Sequence, residues 1–236
     1  MLTLFTRLLV CAFIILPTSV TMAGVIQVDS ARCSEMRAKH VMGLRPKVPC
    51  DRLAVVSFEH LGFDERIHRG EVIVMDVLAR DVEAVFRELL ARRFPIASAR
   101  PMETFGGSDD ESMAANNTSA FNDRTIAGTS FSSLHAYGAA IDVNPVQNPY
   151  VSRTRAKISP PDGARFVSRT PPQPGMVEAI ITVFATHGFT IWGGAWRDPK
   201  DYQHFQIDQR LAERLARLSK KEAFRVYDHY KKNKTR

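Results

Sequence analysis

The chain has 236 residues, of which 44% are hydrophobic and 24% are charged, and its formal net charge is +7. This apolar content excludes a chain that is disordered along most of its length. The basic excess favours anionic surroundings, and because the basic residues are scattered, an anionic cell envelope fits better than nucleic acid.

The first segment has the pattern of a secretory signal peptide. Arg7 precedes an apolar run over 8–16 that is too short to span a bilayer, and the small residues Thr21 and Ala23 fit cleavage before Gly24. We expect residues 1–23 to be removed, which leaves about 213 residues and, with Arg7 lost, a net charge of +6. The alternative is an uncleaved anchor, which would need about 20 apolar residues.

Residues 24–52 form an N-terminal extension with two cysteines. Cys11 is lost with the signal segment, and Cys33 and Cys50 remain in an export context where thiols oxidise. A Cys33–Cys50 disulfide is the simple expectation. Two free buried thiols are the alternative.

The pattern from residue 53 onward predicts one domain over 53–236. Short β-branched runs predict strands over 53–58 and 71–75. A helix follows and ends before Pro95, with apolar residues at helical spacing: Val82, Val85, Phe86, Leu89 and Leu90. A polar, glycine-containing loop is expected over 106–117.

The second half of the domain begins with a proline-rich stretch over 145–174, which predicts a long structured loop or a mobile flap. A helix over 177–184 and strands over 189–192 and 205–207 follow. The motif-bearing part therefore spans 53–207, and a C-terminal helix with a basic tail occupies 208–236. The fold class is α+β.

The chemistry lies in His135, Asp142 and His204. Two imidazole nitrogens and one carboxylate oxygen can hold zinc and leave its fourth position open, as catalytic zinc sites do. Asp201 lies three residues before His204 and could act as a general base towards the attacking water. Taken singly, a histidine beside aromatic residues is usually a packed core residue, and Asp201 could be a turn or cap residue.

The step from His135 to Asp142 is too long for neighbouring side chains on one strand. Gly138 permits a turn between them, after which Ile141 and Val143 can face the core while Asp142 faces the cleft. The spacing permits the ligands to converge without requiring it.

The two motifs together resemble the D-alanyl-D-alanine carboxypeptidase family of zinc peptidases. The shared pattern is Ser-x-His-x-x-Gly-x-x-x-Asp from Ser133, followed by Trp-Gly-Gly from Trp192 and Asp-x-x-His-Phe from Asp201. That family includes VanY-like carboxypeptidases and phage L-alanyl-D-glutamate endolysins, and it shares its fold with the hedgehog signalling domain. The resemblance covers about residues 53–207 and implies a small antiparallel sheet with flanking helices around a zinc cleft.

The resemblance also implies the site residues. Zn²⁺ would be bound by His135, Asp142 and His204, with Asp201 as the catalytic acidic residue. An arginine upstream of His135 would stabilise the oxyanion, and the candidates are Arg124, which we prefer slightly, and Arg100. Ser133 matches a serine that contacts the substrate in that family. We also expect Trp196 to contact the substrate as part of the wall of the site.

The hypothesis is a secreted or periplasmic, monomeric zinc peptidase that cuts peptidoglycan stem peptides beside D-amino acids, as a D,D-carboxypeptidase or L,D-endopeptidase. It would meet the membrane only through the transient signal segment, and we expect no nucleic-acid partner. One alternative is a non-catalytic zinc-containing module that binds the cell wall. Another is nucleic-acid binding through the basic tail at 231–236.

Overall fold

The computed structural model describes residues 24–234, which form a mixed α+β fold with several small sheets. The predicted signal segment, 1–23, lies outside the described residues. The strands are β1 Gly24–Gln27, β2 Leu53–Leu61, β3 Ile67–Met75, β4 Ser98–Ala99, β5 Asn117–Thr118, β6 Ala140–Asp142, β7 Tyr150–Val151, β8 Ile158–Ser159, β9 Ile191–Trp192, β10 Lys200–Asp201 and β11 His204–Gln206. The α-helices are α1 Ser30–Ala38, α2 Ala79–Ala91, α3 Asp109–Ala114, α4 Ile181–Thr186, α5 Gln209–Arg217 and α6 Lys220–Lys234.

The first sheet has the order β1-β2-β3 and is antiparallel throughout. Helix α2 packs on it, because its apolar residues recur on one face and are buried there. The Phe58 ring of β2 stacks on the Phe86 ring of α2 with a centroid distance of 3.6 Å. This layer forms one side of the main hydrophobic core.

The second part of the fold carries the motifs. Strands β6, β11 and β9 form an antiparallel sheet in the order β6-β11-β9, and β10, β7 and β8 form another in the order β10-β7-β8. The short parallel pair β4-β5 joins this region through a bridge between Ser119 and Asp142. The β4-β5 pair therefore meets the β6-β11-β9 sheet at β6.

Two predicted loops contain regular structure. The stretch 106–117 includes α3, which begins because the Ser108 hydroxyl oxygen accepts a hydrogen bond from the Glu111 backbone N–H at 3.2 Å. The proline-rich stretch contains β7, β8 and a 3₁₀ helix over Pro161–Phe166. Arg169 stabilises the proline-rich stretch by donating hydrogen bonds to the Gln147 and Phe166 carbonyl oxygens at 2.6 and 3.0 Å. It is thus a structured loop.

The described chain is cross-linked near both of its ends. A disulfide joins Cys33 and Cys50, with an S–S distance of 2.00 Å. The basic stretch expected as a tail from residue 231 begins inside α6, and the Lys231 ammonium lies 2.7 Å from the Asp81 carboxylate of α2. Between residues 24 and 234, none of the helices combines the length and apolarity needed to cross a membrane.

A buried ion pair lies between Arg52, which precedes β2, and Asp76, which follows β3. The Arg52 Nε lies 3.0 Å from the Asp76 carboxylate, and each residue is only 6% exposed. The same guanidinium donates to the Leu215 and Leu218 carbonyl oxygens at the end of α5. This side chain therefore links three parts of the fold: the start of β2, the end of β3 and the end of α5.

Removing the carboxylate of this pair should destabilise the protein strongly. Asp76→Ala leaves a buried guanidinium without its counter-charge, and we expect a loss of about 3–5 kcal/mol in the free energy of unfolding. Glu88→Ala is the control, because it removes a half-exposed carboxylate that pairs with Arg92 and His187, and it should cost much less. Urea denaturation measures both variants. Equal costs would contradict the role of the buried pair.

Candidate metal centre

His135 lies on a one-turn 3₁₀ helix over Leu134–Tyr137. The helix begins at Ser133, whose hydroxyl oxygen accepts a hydrogen bond from the His135 backbone N–H at 3.2 Å. It ends at Gly138, which has a φ of +60° in the left-handed region that favours glycine. Ser133 therefore has a visible structural role as the cap of this turn.

Gly138 is also a point of close approach to the first sheet. A Cβ atom at this position would lie 2.5 Å from the Met75 backbone nitrogen. The Met75 N–H donates to the Gly138 carbonyl oxygen at 3.0 Å. The turn between His135 and Asp142 is thus fixed by its contact with β3, and the chain leaves it directly into β6.

Strand pairing brings Asp142 and His204 together. In the antiparallel pair β6-β11, Asp142 lies directly opposite His204, and Ile141 lies opposite Phe205. Residues directly opposite each other project to the same face of a sheet. Ile141, Val143 and Phe205 are fully buried on the core side, so the alternation predicted around Asp142 matches the structure.

The three side chains converge on one point. His135 Nε2 lies 3.2 Å from His204 Nδ1, His204 Nδ1 lies 2.9 Å from Asp142 Oδ1, and His135 Nε2 lies 3.2 Å from Asp142 Oδ2. Their candidate ligand atoms all lie within 4.8 Å of one another. The residues are 3%, 8% and 7% exposed for His135, Asp142 and His204. This is a buried group that could hold a metal ion.

The electrostatics of the group favour a bound cation. Burial opposes the charged form of His204, but its hydrogen bond to Asp142 and the charge of that carboxylate raise the pKa of His204 to about 9. Burial likewise opposes the Asp142 carboxylate, whereas the charge of His135 and hydrogen bonds from both histidines hold its pKa well below its ordinary value. Without a metal, a proton supplies the positive charge that this set of acceptors requires.

Asp201 lies beside this group on β10, where it pairs with Tyr150 of β7. The residue is half-buried, but its Oδ1 atom is buried and has no hydrogen-bond partner within the described chain. Burial, followed by the negative charge of Asp142, raises the pKa of Asp201 to about 6. A carboxylate whose pKa lies near neutral pH, and which has an oxygen atom available to accept a hydrogen bond, is suited to proton transfer.

The two tryptophans lie on either side of the Gly-Gly turn. The Trp196 ring is 5.5 Å from the His204 ring between centroids, so it lies against the candidate ligands. The Trp192 indole N–H donates to the Tyr202 carbonyl oxygen at 2.8 Å, and its ring packs against the core. Trp196 is therefore the tryptophan that borders the site.

Neither candidate arginine forms a hydrogen bond or ion pair with the three converging side chains in the described part of the chain. Arg124 pairs with Asp109 at the start of α3, and its backbone carbonyl accepts from the Ser133 N–H at 3.1 Å. Arg100 is exposed, and its guanidinium lies 4.8 Å from the centroid of the Phe105 ring. Arg124 is thus joined to the segment that carries His135.

Sequence reasoning missed two groups behind the histidines. The Ala120 carbonyl oxygen lies 2.5 Å from His135 Nδ1, and the Gln206 Oε1 lies 2.8 Å from His204 Nε2. The sequence carried a signal for Gln206, because residues i and i+2 of a strand share a face. It carried none for Ala120, whose contact is made by the backbone.

Part of the chain matches the model of a known protein family. Residues 127–207, about a third of the chain, match the family model described as D-alanyl-D-alanine carboxypeptidase. The matching segment includes His135, Asp142, Asp201 and His204, and it confirms the resemblance inferred from the motifs. At the level of the family, it indicates a peptidase that acts on peptidoglycan-type substrates. No curated protein and no solved structure shows significant similarity to the chain.

Substitution of Gly138 should disturb the turn that precedes β6. Gly138→Ala adds the cost of the left-handed conformation, about 1–2 kcal/mol, and a clash with the β3 backbone. Gly106→Ala is a matched control, because Gly106 also ends a 3₁₀ helix, with a φ of +56°, and a Cβ there meets nothing within 4 Å. We expect Gly138→Ala to lower the melting temperature more than Gly106→Ala. Equal shifts would show that the close approach to β3 is unimportant.

The Asp201 carboxyl should make the stability of the metal-free protein depend on pH. Since its pKa is about 6 in the folded protein and about 4 in an unfolded chain, stability is lost as the pH rises from 4 to 6. Asp201→Asn removes this loss, so the variant should be more stable than wild type at pH 7, by roughly 3 kcal/mol at most. The difference should vanish near pH 4.

Urea denaturation of the metal-free proteins between pH 4 and pH 7 measures this effect. Asp228→Asn removes the same charge from an exposed position on α6 and serves as the control. Lower stability of Asp201→Asn at pH 7 would show that the buried carboxylate is not destabilising.

Proposed function

We propose that this chain, whose residues 127–207 match the D-alanyl-D-alanine carboxypeptidase family model, is a zinc-dependent peptidase that hydrolyses bonds next to D-amino acids in peptidoglycan stem peptides. The observation that carries the proposal is the convergence of His135, Asp142 and His204 within the matching segment. The reaction would be of the D,D-carboxypeptidase or L,D-endopeptidase type.

The three converging groups fit zinc. They offer two imidazole nitrogens and one carboxylate oxygen, a ligand set that zinc accepts, and three protein ligands leave one of four positions open. Zinc in such a site supplies a Lewis acid that activates water and polarises a carbonyl group. His135, Asp142 and His204 would hold the ion, and their burial would exclude bulk solvent from it.

Asp201 is the proposed general base. Its Oδ1 atom has no partner among the described residues, so it is free to accept a hydrogen bond from the attacking water. The raised pKa of Asp201 makes the carboxylate a stronger base than an exposed aspartate, while leaving it ionised at neutral pH. It would take the proton from the water and deliver it to the leaving amine.

Arg124 is the preferred group for stabilising the oxyanion, with Arg100 as the alternative. The Arg124 backbone is hydrogen-bonded to Ser133, and its buried Nε has no partner in the described structure. A guanidinium is always charged and can place two donors on an oxyanion or a carboxylate. The ion pair with Asp109 would hold the Arg124 side chain while its remaining donors meet the substrate.

Ser133 and Trp196 are the proposed substrate contacts. The Trp196 ring lies against His204 and would form an apolar wall for the peptide backbone or an alanine methyl group. Ser133 immediately precedes the turn that carries His135, and its hydroxyl oxygen keeps capacity for a second hydrogen bond. Its hydroxyl hydrogen could donate to a substrate carbonyl.

The proposal includes the compartment and the partners. Peptidoglycan stem peptides lie outside the cytoplasmic membrane, which agrees with the signal pattern of residues 1–23 and with the cysteine pair of the N-terminal extension. A monomer is sufficient, since one chain supplies all three candidate ligands and Asp201. Nucleic acid is not required by any part of the proposed reaction.

The decisive experiment is cleavage of purified muropeptides, followed by mass spectrometry of released D-alanine or shortened stems. His204→Ala should lose both zinc and cleavage, because it removes one of three ligands. Asp201→Asn should keep zinc but lower kcat by about a hundredfold to ten-thousandfold, which is the usual contribution of a general base. Asp228→Asn on α6 should match wild type in both measurements.

The pH profile gives a second readout of the same assay. Zinc is positive and lowers the pKa of Asp201 from about 6 in the metal-free protein, so the acid limb of the kcat/KM profile should have its midpoint at or below about pH 6. Full activity in His204→Ala, or after chelation, would overturn the proposal. Bound zinc without hydrolysis of any muropeptide would favour the alternative, a zinc-containing wall-binding module.

A further inference from the structure

The two candidate histidine ligands share one arrangement. In each ring, the nitrogen that faces away from the other two candidate ligands, here called the outer nitrogen, lies within hydrogen-bond distance of an oxygen atom. His135 Nδ1 contacts the Ala120 carbonyl oxygen, and His204 Nε2 contacts the Gln206 side-chain oxygen. A carbonyl or amide oxygen can only accept a hydrogen bond, so the outer nitrogen must carry the hydrogen. In a neutral imidazole, the inner nitrogen then presents a lone pair.

The inner nitrogens are the atoms that face each other. His135 Nε2 and His204 Nδ1 lie 3.2 Å apart, and both lie beside the Asp142 carboxylate. When the hydrogens are held on the outer nitrogens, the two inner nitrogens present lone pairs and the Asp142 carboxylate adds one negative charge. Such a set is suited to a cation and is unfavourable without one.

The position of Gln206 is fixed by the sheet. His204 and Gln206 are i and i+2 on β11, so their side chains share one face. Phe205 between them points the other way and stacks on Phe184 in the core, with a centroid distance of 4.0 Å. Gln206 also pairs with Ala140 of β6 and with Ile191 of β9, so β11 is the central strand.

We propose that Gln206 is a positioning residue that selects Nδ1 of His204 as the metal-binding atom. The inference rests on the zinc site of the proposed function but not on the hydrolytic reaction. Without an acceptor at position 206, the His204 hydrogen is free to move to Nδ1 or the ring to rotate, and either change removes the lone pair from the centre. The Gln206 Oε1 accepts the hydrogen bond from His204 Nε2 without adding a charge.

Zinc affinity tests this role directly. Gln206→Leu has no acceptor and should weaken zinc binding by about 10–100-fold, as loss of an outer hydrogen-bond partner of a ligand usually does. Gln206→Glu keeps an acceptor and should bind zinc at least as tightly as wild type. Gln209→Leu changes an exposed glutamine at the start of α5 and should leave the affinity unchanged. Competition with a chromophoric chelator measures all four proteins.

The hydrogen position gives a readout that does not depend on affinity. In the zinc-loaded wild type, nitrogen-15 NMR of the histidine rings should show the His204 hydrogen on Nε2 and in slow exchange with water. In Gln206→Glu it should stay there. Should Gln206→Leu fail to fold, as judged by its metal-free melting curve, this comparison of wild type with Gln206→Glu still decides the matter.

The outcomes separate the inference from the proposed function. Equal zinc affinity in folded Gln206→Leu and wild type, or a His204 hydrogen on Nδ1 in the zinc-loaded protein, would overturn the role of Gln206. Zinc binding that ranks as expected without muropeptide cleavage would leave the inference standing and overturn the peptidase. A wild type that binds no zinc would overturn the site on which both depend.

Discussion

Antiparallel pairing of β6 with β11 is the interaction on which the candidate site depends. It sets Asp142 opposite His204, and a shift of the register by one residue would turn one of the two side chains into the core. The register is held because Ile141 and Phe205 are fully buried on the other face. Gly138 also contributes, because its contact with β3 holds the turn that connects His135 to β6.

The site contains ionisable side chains in a buried region, where charged groups are normally rare. Two carboxylates and two imidazoles lie in a buried region, where the pKa of His204 rises to about 9 and that of Asp201 to about 6. Strongly shifted pKa values of this kind are typical of functional sites, because stability alone favours their replacement by apolar residues. The Ala120 carbonyl and Gln206 then determine which imidazole nitrogens are available inside.

Periodicity predicted the parts of the fold whose apolar residues repeat. It predicted the helix that begins at residue 79 and the apolar parts of β2 and β3. It did not predict that β2 continues through polar residues to Leu61, or that β3 already begins at Ile67. Backbone pairing sustains those extensions, and backbone hydrogen bonds leave little trace in side-chain pattern. Helix α3 was missed for a related reason: five of its six residues are polar or small, and it is stabilised by the Ser108 cap and by neighbouring elements without an apolar stripe of its own.

The sequence by itself determined the types of the candidate ligands, the turn at Gly138 and the i, i+2 spacing of His204 and Gln206, because these depend on residue identity and local geometry. Only the tertiary structure decided that residues 69 positions apart, His135 and His204, lie within 3.2 Å of each other. It also decided that Arg100 rests on Phe105 while Arg124 joins the Ser133 segment. Convergence across such distances follows from strand register and core packing, which no local pattern specifies.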